Sequence, residues 1–179
     1  RHWLFRGKDE ERLKTSGKTN VDGSERVIVD THMNGHLAPL FPEYWQALDG
    51  TDYRVTALHL ALVASGRRDG FMVGDNCINP KKRRFGEEIG PMYLLIAESG
   101  GAMLDWNGKP MGEEYVDLDK KKTFHVIAGA TPEFCLDFVV KKLLKKPEVV
   151  QYMKGKGIYK PSQAVLASLQ DQDRQPPQT

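Results

Sequence analysis

The stretch that decides the fold is Leu62-Val-Ala-Ser-Gly-Arg-Arg-Asp-Gly-Phe71, followed by Glu88-Ile-Gly-Pro-Met-Tyr-Leu-Leu-Ile-Ala-Glu-Ser-Gly-Gly101. The first part predicts a helix over 54–65, then a turn and a strand over 66–73. The second predicts a helix over 88–98 and, after its glycine pair, a strand that ends at Asp105. A helix that turns straight into a strand needs positive φ and little side-chain bulk, which glycine provides.

The flanking sequence adds further elements of both kinds. The β-branched run over 26–30 predicts a strand, and the apolar spacing over 43–48 predicts a short helix. A strand is expected over 125–128. Thr131 and Pro132 then suit the N-cap and first position of a helix that Pro147 ends. Strands that alternate with helices predict a layered α/β fold.

The composition divides the 179 residues into three parts. Residues 1–25 form a polar N-terminal segment, and residues 26–147 form the α/β domain. From residue 148 to 179 we expect a basic extension that becomes disordered from residue 170 onward. The domain is therefore expected to stay folded when the chain is truncated after Pro147.

The net charge of +2 is too small to indicate nucleic-acid binding by itself, but the basic residues are clustered. A first cluster is a candidate contact for phosphate or another polyanion: Lys81, Lys82, Arg83 and Arg84. A second set is a candidate surface for a protein partner or for RNA phosphates: Lys141, Lys142, Lys145, Lys146, Lys154, Lys156 and Lys160. The alternative is that both sets are ordinary solvated faces.

The two cysteines, Cys77 and Cys135, are not spaced like a disulfide framework, which favours an intracellular, reducing compartment. The cytoplasm, a mitochondrion and a plastid all remain open. No apolar run approaches the roughly 20 residues that a membrane-spanning helix needs, so no membrane span is expected.

Together with Gly108-Lys-Pro110, the quoted stretch resembles the C-terminal half of the inositol monophosphatase and fructose-1,6-bisphosphatase superfamily. These proteins are magnesium-dependent phosphatases. The resemblance covers residues 54–144, and residues 26–30 more weakly. It implies a layered sandwich with a mixed sheet of about five strands between helices.

The resemblance also implies a metal ligand. Glu88-Ile-Gly-Pro-Met92 matches the Glu-x-Asn-Pro-Met sequence of fructose bisphosphatases at Glu88, Pro91 and Met92. Mg²⁺ prefers hard oxygen ligands, so Glu88 is the candidate metal ligand and Mg²⁺ the possible cofactor. The alternative is that Glu88 only favours a helix N-terminus through the helix dipole.

Two departures from the family pattern concern the substrate pocket. Arg54 stands where inositol phosphatases have a glycine, and Val73 aligns with a glutamate that contacts substrate. The N-terminal half, which supplies most of the family's carboxylates, is not visible. A C-terminal half alone would expose the face that normally packs on that N-terminal half, and a protein partner is expected to cover it. One hypothesis is thus a degenerate, non-catalytic structural or interaction component of a larger assembly. The alternative is a Mg²⁺-dependent sugar or inositol phosphate phosphatase whose catalytic N-terminal half is missing from this chain.

Overall fold

The computed structural model describes residues 3–6, 9–24, 26–30, 37–47, 56–74, 85–112 and 125–174. The strands described are β1 (Trp3–Arg6), β2 (Asp9–Arg12), β3 (Val27–Asp30), β4 (Trp45–Ala47), β5 (Gly70–Val73), β6 (Ala102–Asp105) and β7 (Val126–Gly129). The helices described are α1 (Thr56–Ala64), α2 (Phe85–Glu98), α3 (Pro132–Phe138), α4 (Pro147–Gly155) and α5 (Gln163–Arg174). A 3₁₀ turn covers Ala38–Leu40, and a π-helical turn covers Val139–Leu143.

The described strands form a hairpin and a mixed five-stranded sheet. The hairpin pairs β1 with β2, and the sheet has the order β4-β3-β5-β7-β6. Strands β3, β4 and β5 are parallel, whereas β7 runs antiparallel to both β5 and β6. This confirms the predicted α/β fold with a mixed sheet of about five strands.

Alternating side chains of the central strands build two separate cores, one on each face of the sheet. Ile28 and Phe71 face a core that α1 and α2 cover, whereas Val29 and Met72 face the core that contains Phe138. The second core also receives residues of α4 and α5. Because successive strand residues point to opposite faces, a sheet buried on both sides needs apolar residues at every position. The predicted arrangement of a sheet between helices is thus confirmed.

The glycine pair works as expected between α2 and β6. Gly100 has φ of +89° and ends the helix. A Cβ on Gly101 would come within 2.6 Å of the carbonyl oxygen of Gly129, so a larger residue would push β6 away from β7. The pair therefore permits both the turn and the close strand approach.

Two of the predicted elements differ from the structure. The prediction of a helix over 43–48 is wrong, because Trp45–Ala47 is a strand whose backbone pairs with β3 in parallel register. Pairing along the sheet edge outweighs a weak helical spacing over so few residues. Helix α2 begins at Phe85, three residues before the expected start.

None of the described helices is long and apolar enough to cross a membrane.

Core packing in the structure extends across both predicted domain boundaries. Val21, from the expected polar segment, is buried in the same core as Val149, Met153 and Val165 from the expected extension. Residues 170–174, expected to be disordered, belong to α5, and residues 175–179 lie outside the described residues. The helical segment expected to end at Pro147 already ends at Leu143, and Pro147 begins α4, at a position where proline is favoured.

Candidate functional site

The carboxyl ends of the parallel strands meet at one edge of the sheet, where α/β proteins commonly bind ligands. Strands β3 and β5 end there at Asp30 and Val73, and α1 and α2 both begin on this side. Of the polar side chains described at this edge, Asp30 and Thr56 are buried. Segments 31–36, 48–55 and 75–84 follow these strands and lie outside the described residues, so this edge is described only in part.

His59 lies one turn into α1 and is buried beneath this edge. It is 1% exposed, and its ring centroid is 5.1 Å from that of Phe71. Burial lowers the pKa of His59, and the negative charge of Asp30 partly opposes that shift. The side chain is therefore a neutral core histidine at pH 7, as its place in an apolar helix predicts.

Val73 is the position that the sequence resemblance aligns with a substrate-contacting glutamate of inositol phosphatases. In this chain its side chain is 1% exposed and packs in the core between the sheet and α1 and α2. Its backbone pairs with that of Val126 in β7. The position is thus a core position and supplies no polar group to a ligand.

The predicted metal ligand, Glu88, is the fourth residue of α2, and its side chain lies outside the described residues. The same holds for the predicted phosphate contacts Lys81, Lys82, Arg83 and Arg84. Among the residues described, no three His, Cys, Asp or Glu side chains are grouped as a metal ion would require. The metal and phosphate assignments therefore stay predictions.

Of the lysines predicted to bind a partner, Lys141, Lys142 and Lys154 lie in helical segments and the others lie in the turns between and after them. Lys141 donates to the Asp22 carboxylate at 2.7 Å and contacts that of Asp137 at 3.1 Å. The hydrogen bond between Lys141 and Asp22 lowers the pKa of the aspartate and raises that of the lysine. Lys141 thus ties the N-terminal loop to the π-helical turn.

Three further lysines of the predicted set lie over aromatic rings. The distances from Nζ to ring centroid are 4.8 Å for Lys146 on Phe41, 5.3 Å for Lys154 on Tyr159 and 5.6 Å for Lys156 on Tyr152. Such cation–π contacts anchor the ammonium groups near the fold. Lys145 and Lys160 are exposed and Lys142 is half-buried. The set therefore forms part of the folded surface.

The outer side of α1 and α2 carries exposed apolar side chains. Leu58 is 40% exposed and Leu94 is 59% exposed, and the two helices pack against each other. Helix α1 reads Thr-Ala-Leu-His-Leu-Ala-Leu-Val-Ala and carries no charged residue on any side. A helix that is apolar all round is normally buried on all sides, and this sequence signal could have located the face.

Known structures with a similar fold include inositol monophosphatases. The structure of an inositol monophosphatase from Thermotoga maritima superposes with a TM-score of 0.54 and 22% identity, over 84% of this chain and 49% of that one. A structure of SaIMPase-II with bound 2′-AMP superposes with a TM-score of 0.53 and 15% identity, over 85% of this chain and 53% of that one. No protein-family model matches the chain, and no curated protein matches it significantly.

These comparisons define the class of fold. The chain has an inositol-monophosphatase-like α/β fold and spans about half the length of the phosphatase structures that it matches. The predicted resemblance is confirmed at the level of a partial fold of this type. Activity, substrate and cofactor are not carried over by that likeness.

Proposed function

We propose that this chain is a phosphatase-like domain that serves as a structural or interaction component of a larger assembly and does not itself hydrolyse phosphate esters. The observation that carries the proposal is the outer side of α1 and α2, hereafter the α1–α2 face. This face carries the exposed Leu58 on α1, a helix without a charged residue, and the exposed Leu94 on α2. Grouped exposed apolar side chains mark interaction sites more often than ordinary surface.

The character of the α1–α2 face indicates the class of partner. Ala57, Ala61 and Leu62 of α1 are each only half-buried, and Leu94 is exposed on α2, which packs against α1. Such a surface gains free energy mainly by removing apolar area from water, about 25 cal/mol for each Å². A protein partner with an apolar surface suits this face better than a charged polymer does.

The departures at the ligand-binding edge support the non-catalytic part of the proposal. Val73 is buried among apolar side chains at the position of a substrate-contacting glutamate. Arg54 stands at the position of a glycine in the same family pattern. Both changes remove features that the resemblance associates with seating substrate.

We further propose a reducing intracellular compartment, in keeping with the buried free thiol of Cys135.

The α1–α2 face can be tested with paired leucine substitutions. A tagged chain is expressed in its source cells, and its co-purified proteins are compared with those of the Leu58→Lys/Leu94→Lys variant. The matched control is Leu166→Lys, since Leu166 is 42% exposed but lies on α5, on the other face of the sheet.

We expect a stoichiometric protein partner that the double variant loses and the control retains. Circular dichroism must show that both variants are folded. In the isolated protein, the double substitution should also reduce binding of a hydrophobic dye, because two apolar side chains are replaced. A partner that persists in the folded double variant would refute the proposed use of this face.

A magnesium-dependent phosphatase is the second candidate function. It is favoured by the position of Glu88 in the first turn of α2, at the edge of the sheet where parallel strands end. If Mg²⁺ binds there, Glu88→Gln should weaken a calorimetric Mg²⁺ titration because one anionic ligand is lost. Glu87→Gln is the matched control, since it removes an identical charge one residue earlier. Equal titrations for both variants would remove Glu88 from any metal site.

A further inference from the structure

A polar cleft lies at the opposite edge of the sheet, at the amino ends of β3 and β5. It has a volume of about 550 Å³ and is lined by Ser16, Gly17, Lys18, Gly23, Arg26 and Asp69. Arg26 immediately precedes β3 and Asp69 immediately precedes β5, and the Asp69 N–H donates to the Arg26 carbonyl oxygen at 2.9 Å. The cleft is therefore separated from Glu88 by the length of the strands.

Asp69 is the one carboxylate among the described residues that line the cleft, and it already has hydrogen-bond donors. Asp69 is buried, and its two oxygens accept from the hydroxyls of Ser16 at 2.7 Å and Ser24 at 2.9 Å. Arg26 also lies near it, with a nitrogen 3.8 Å from the nearer carboxylate oxygen. Asp69 thus holds the loop over 16–24 in place and is not presented to a ligand.

The cations of the lining are available to the cleft. Lys18 has no side-chain hydrogen bond or ion pair within the part of the chain that the structure describes, while its carbonyl accepts from the Thr131 hydroxyl at 3.0 Å. The Arg26 guanidinium is 47% exposed and donates to the Gly66 carbonyl, which leaves other N–H groups free. Among the described lining residues, two cations face one carboxylate that is already hydrogen-bonded, so the formal charge of that lining is +1.

The backbone around the cleft leaves room for a ligand. Gly17 and Gly23 have φ of +72° and +64°, and a Cβ on either would meet no atom within 4 Å. The open space in front of both glycines adjoins the two cations. A lysine and an arginine that line the same open cleft suit a tetrahedral oxyanion, to which guanidinium binds in a forked geometry.

We infer that this cleft binds the phosphate group of a small phosphate ester, with Lys18 and Arg26 as its charged contacts. The site is independent of the proposed partner face, because α1 and α2 do not line it. Substitutions at Leu58 and Leu94 should therefore leave phosphate binding unchanged, so the two proposals can fail separately.

The test is an NMR titration of the ¹⁵N-labelled chain with inorganic phosphate, and then with glycerol phosphate, at constant ionic strength set by chloride. Saturable shifts are expected for the amides of Gly17, Lys18 and Gly23. Lys18→Gln should weaken binding about tenfold, as expected for one charge-assisted contact. Lys145→Gln is the matched control, because Lys145 is exposed on a different element.

Arg26→Gln should weaken binding to a similar degree, but Arg26 also contacts Gly66 and Asp69. If that variant unfolds, Lys18→Gln decides the question, since the Lys18 ammonium holds no described structural contact. Shifts that never saturate, or affinities that are equal for wild type and Lys18→Gln, would overturn the inference.

Discussion

The carboxamide nitrogen of Asn107 donates a hydrogen bond of 2.9 Å to the carbonyl oxygen of Ile158, 51 residues further along the chain. The carboxamide oxygen accepts from the Lys160 N–H at 2.7 Å, and the Asn107 carbonyl accepts from the Ser162 N–H at 2.8 Å. A single buried residue in the turn after β6 therefore holds the connection between α4 and α5. This explains how a polar, lysine-rich segment becomes part of the fold.

Replacing Asn107 by alanine should destabilise the protein by about 1–3 kcal/mol, because the Ile158 carbonyl and the Lys160 N–H would lose part-buried hydrogen bonds. The free energy of unfolding from urea titration measures this. Asn107→Asp keeps an acceptor for Lys160 and loses the donor to Ile158, so it also destabilises the fold. An unchanged unfolding midpoint in Asn107→Ala would show that this connection does not contribute to stability.

Gly108, the next residue, should tolerate no side chain. Its φ is +74°, and a Cβ there would lie 2.4 Å from Cγ2 of Val165 in α5. Gly108→Ala therefore combines backbone strain of roughly 1 kcal/mol with a steric clash, and we expect a total loss above 2 kcal/mol. Thermal and urea unfolding measure it.

Gly157 is the matched control for that substitution. Its φ is +69°, but a Cβ there would meet nothing within 4 Å, so Gly157→Ala isolates the backbone strain. Val165→Ala in the Gly108→Ala background should recover part of the difference by removing the clashing methyl groups. Equal losses for the two glycine variants would show that α5 does not pack on the turn.

Truncation after Pro147 should unfold the domain or make it insoluble, contrary to the expectation from sequence. The truncation removes Val149, Met153 and Val165, all of which have 0% exposure. Each fully buried side chain of this kind contributes about 1.5–3 kcal/mol, and a domain is stable by only 5–15 kcal/mol. A chain that ends at Arg174 is the control, and circular dichroism with sedimentation velocity compares the two. A folded, monomeric product that ends at Pro147 would contradict this packing.

The parts of the fold that could be predicted depend on local chemistry. The N-cap at Thr131, whose hydroxyl accepts from the Phe134 N–H at 3.1 Å, follows from a residue pattern a few positions long. So does the α2–β6 turn, where Gly100 takes the positive φ. The strand over 45–47 could not be predicted, because it depends on pairing with β3, which is distant in sequence.

The candidate sites also differ in whether a short sequence pattern contains them. Val73 could be identified as a departure from a family motif, because it lies within a short sequence pattern. The phosphate cleft needs Ser16, Arg26 and Asp69 to converge from three separated segments, and no spacing rule links them. Sequence analysis could therefore not have found this cleft without the topology.

The pH dependence of stability should report on His59. Burial lowers its pKa in the folded chain below the value of about 6.5 expected for an unfolded one. Below that value the unfolded chain binds a proton that the folded chain resists binding, so the free energy of unfolding decreases as the pH falls. For each unit by which folding lowers the pKa of His59, the free energy of unfolding above the unfolded pKa exceeds that at low pH by about 1.4 kcal/mol more. This stabilisation is fully present only above the unfolded pKa.

Urea unfolding at intervals between pH 7.5 and 5.5 measures this dependence, with His59→Leu as the comparison, since leucine does not titrate. The variant should show a flatter profile across the same interval, because the remaining groups, including Asp30, are common to both proteins. If the variant is unstable, the ring-proton shift of His59 in the wild-type chain provides the same information. A His59 titration midpoint at or above 6.5 would contradict the neutral, buried state, because burial among apolar groups penalises the charged imidazole.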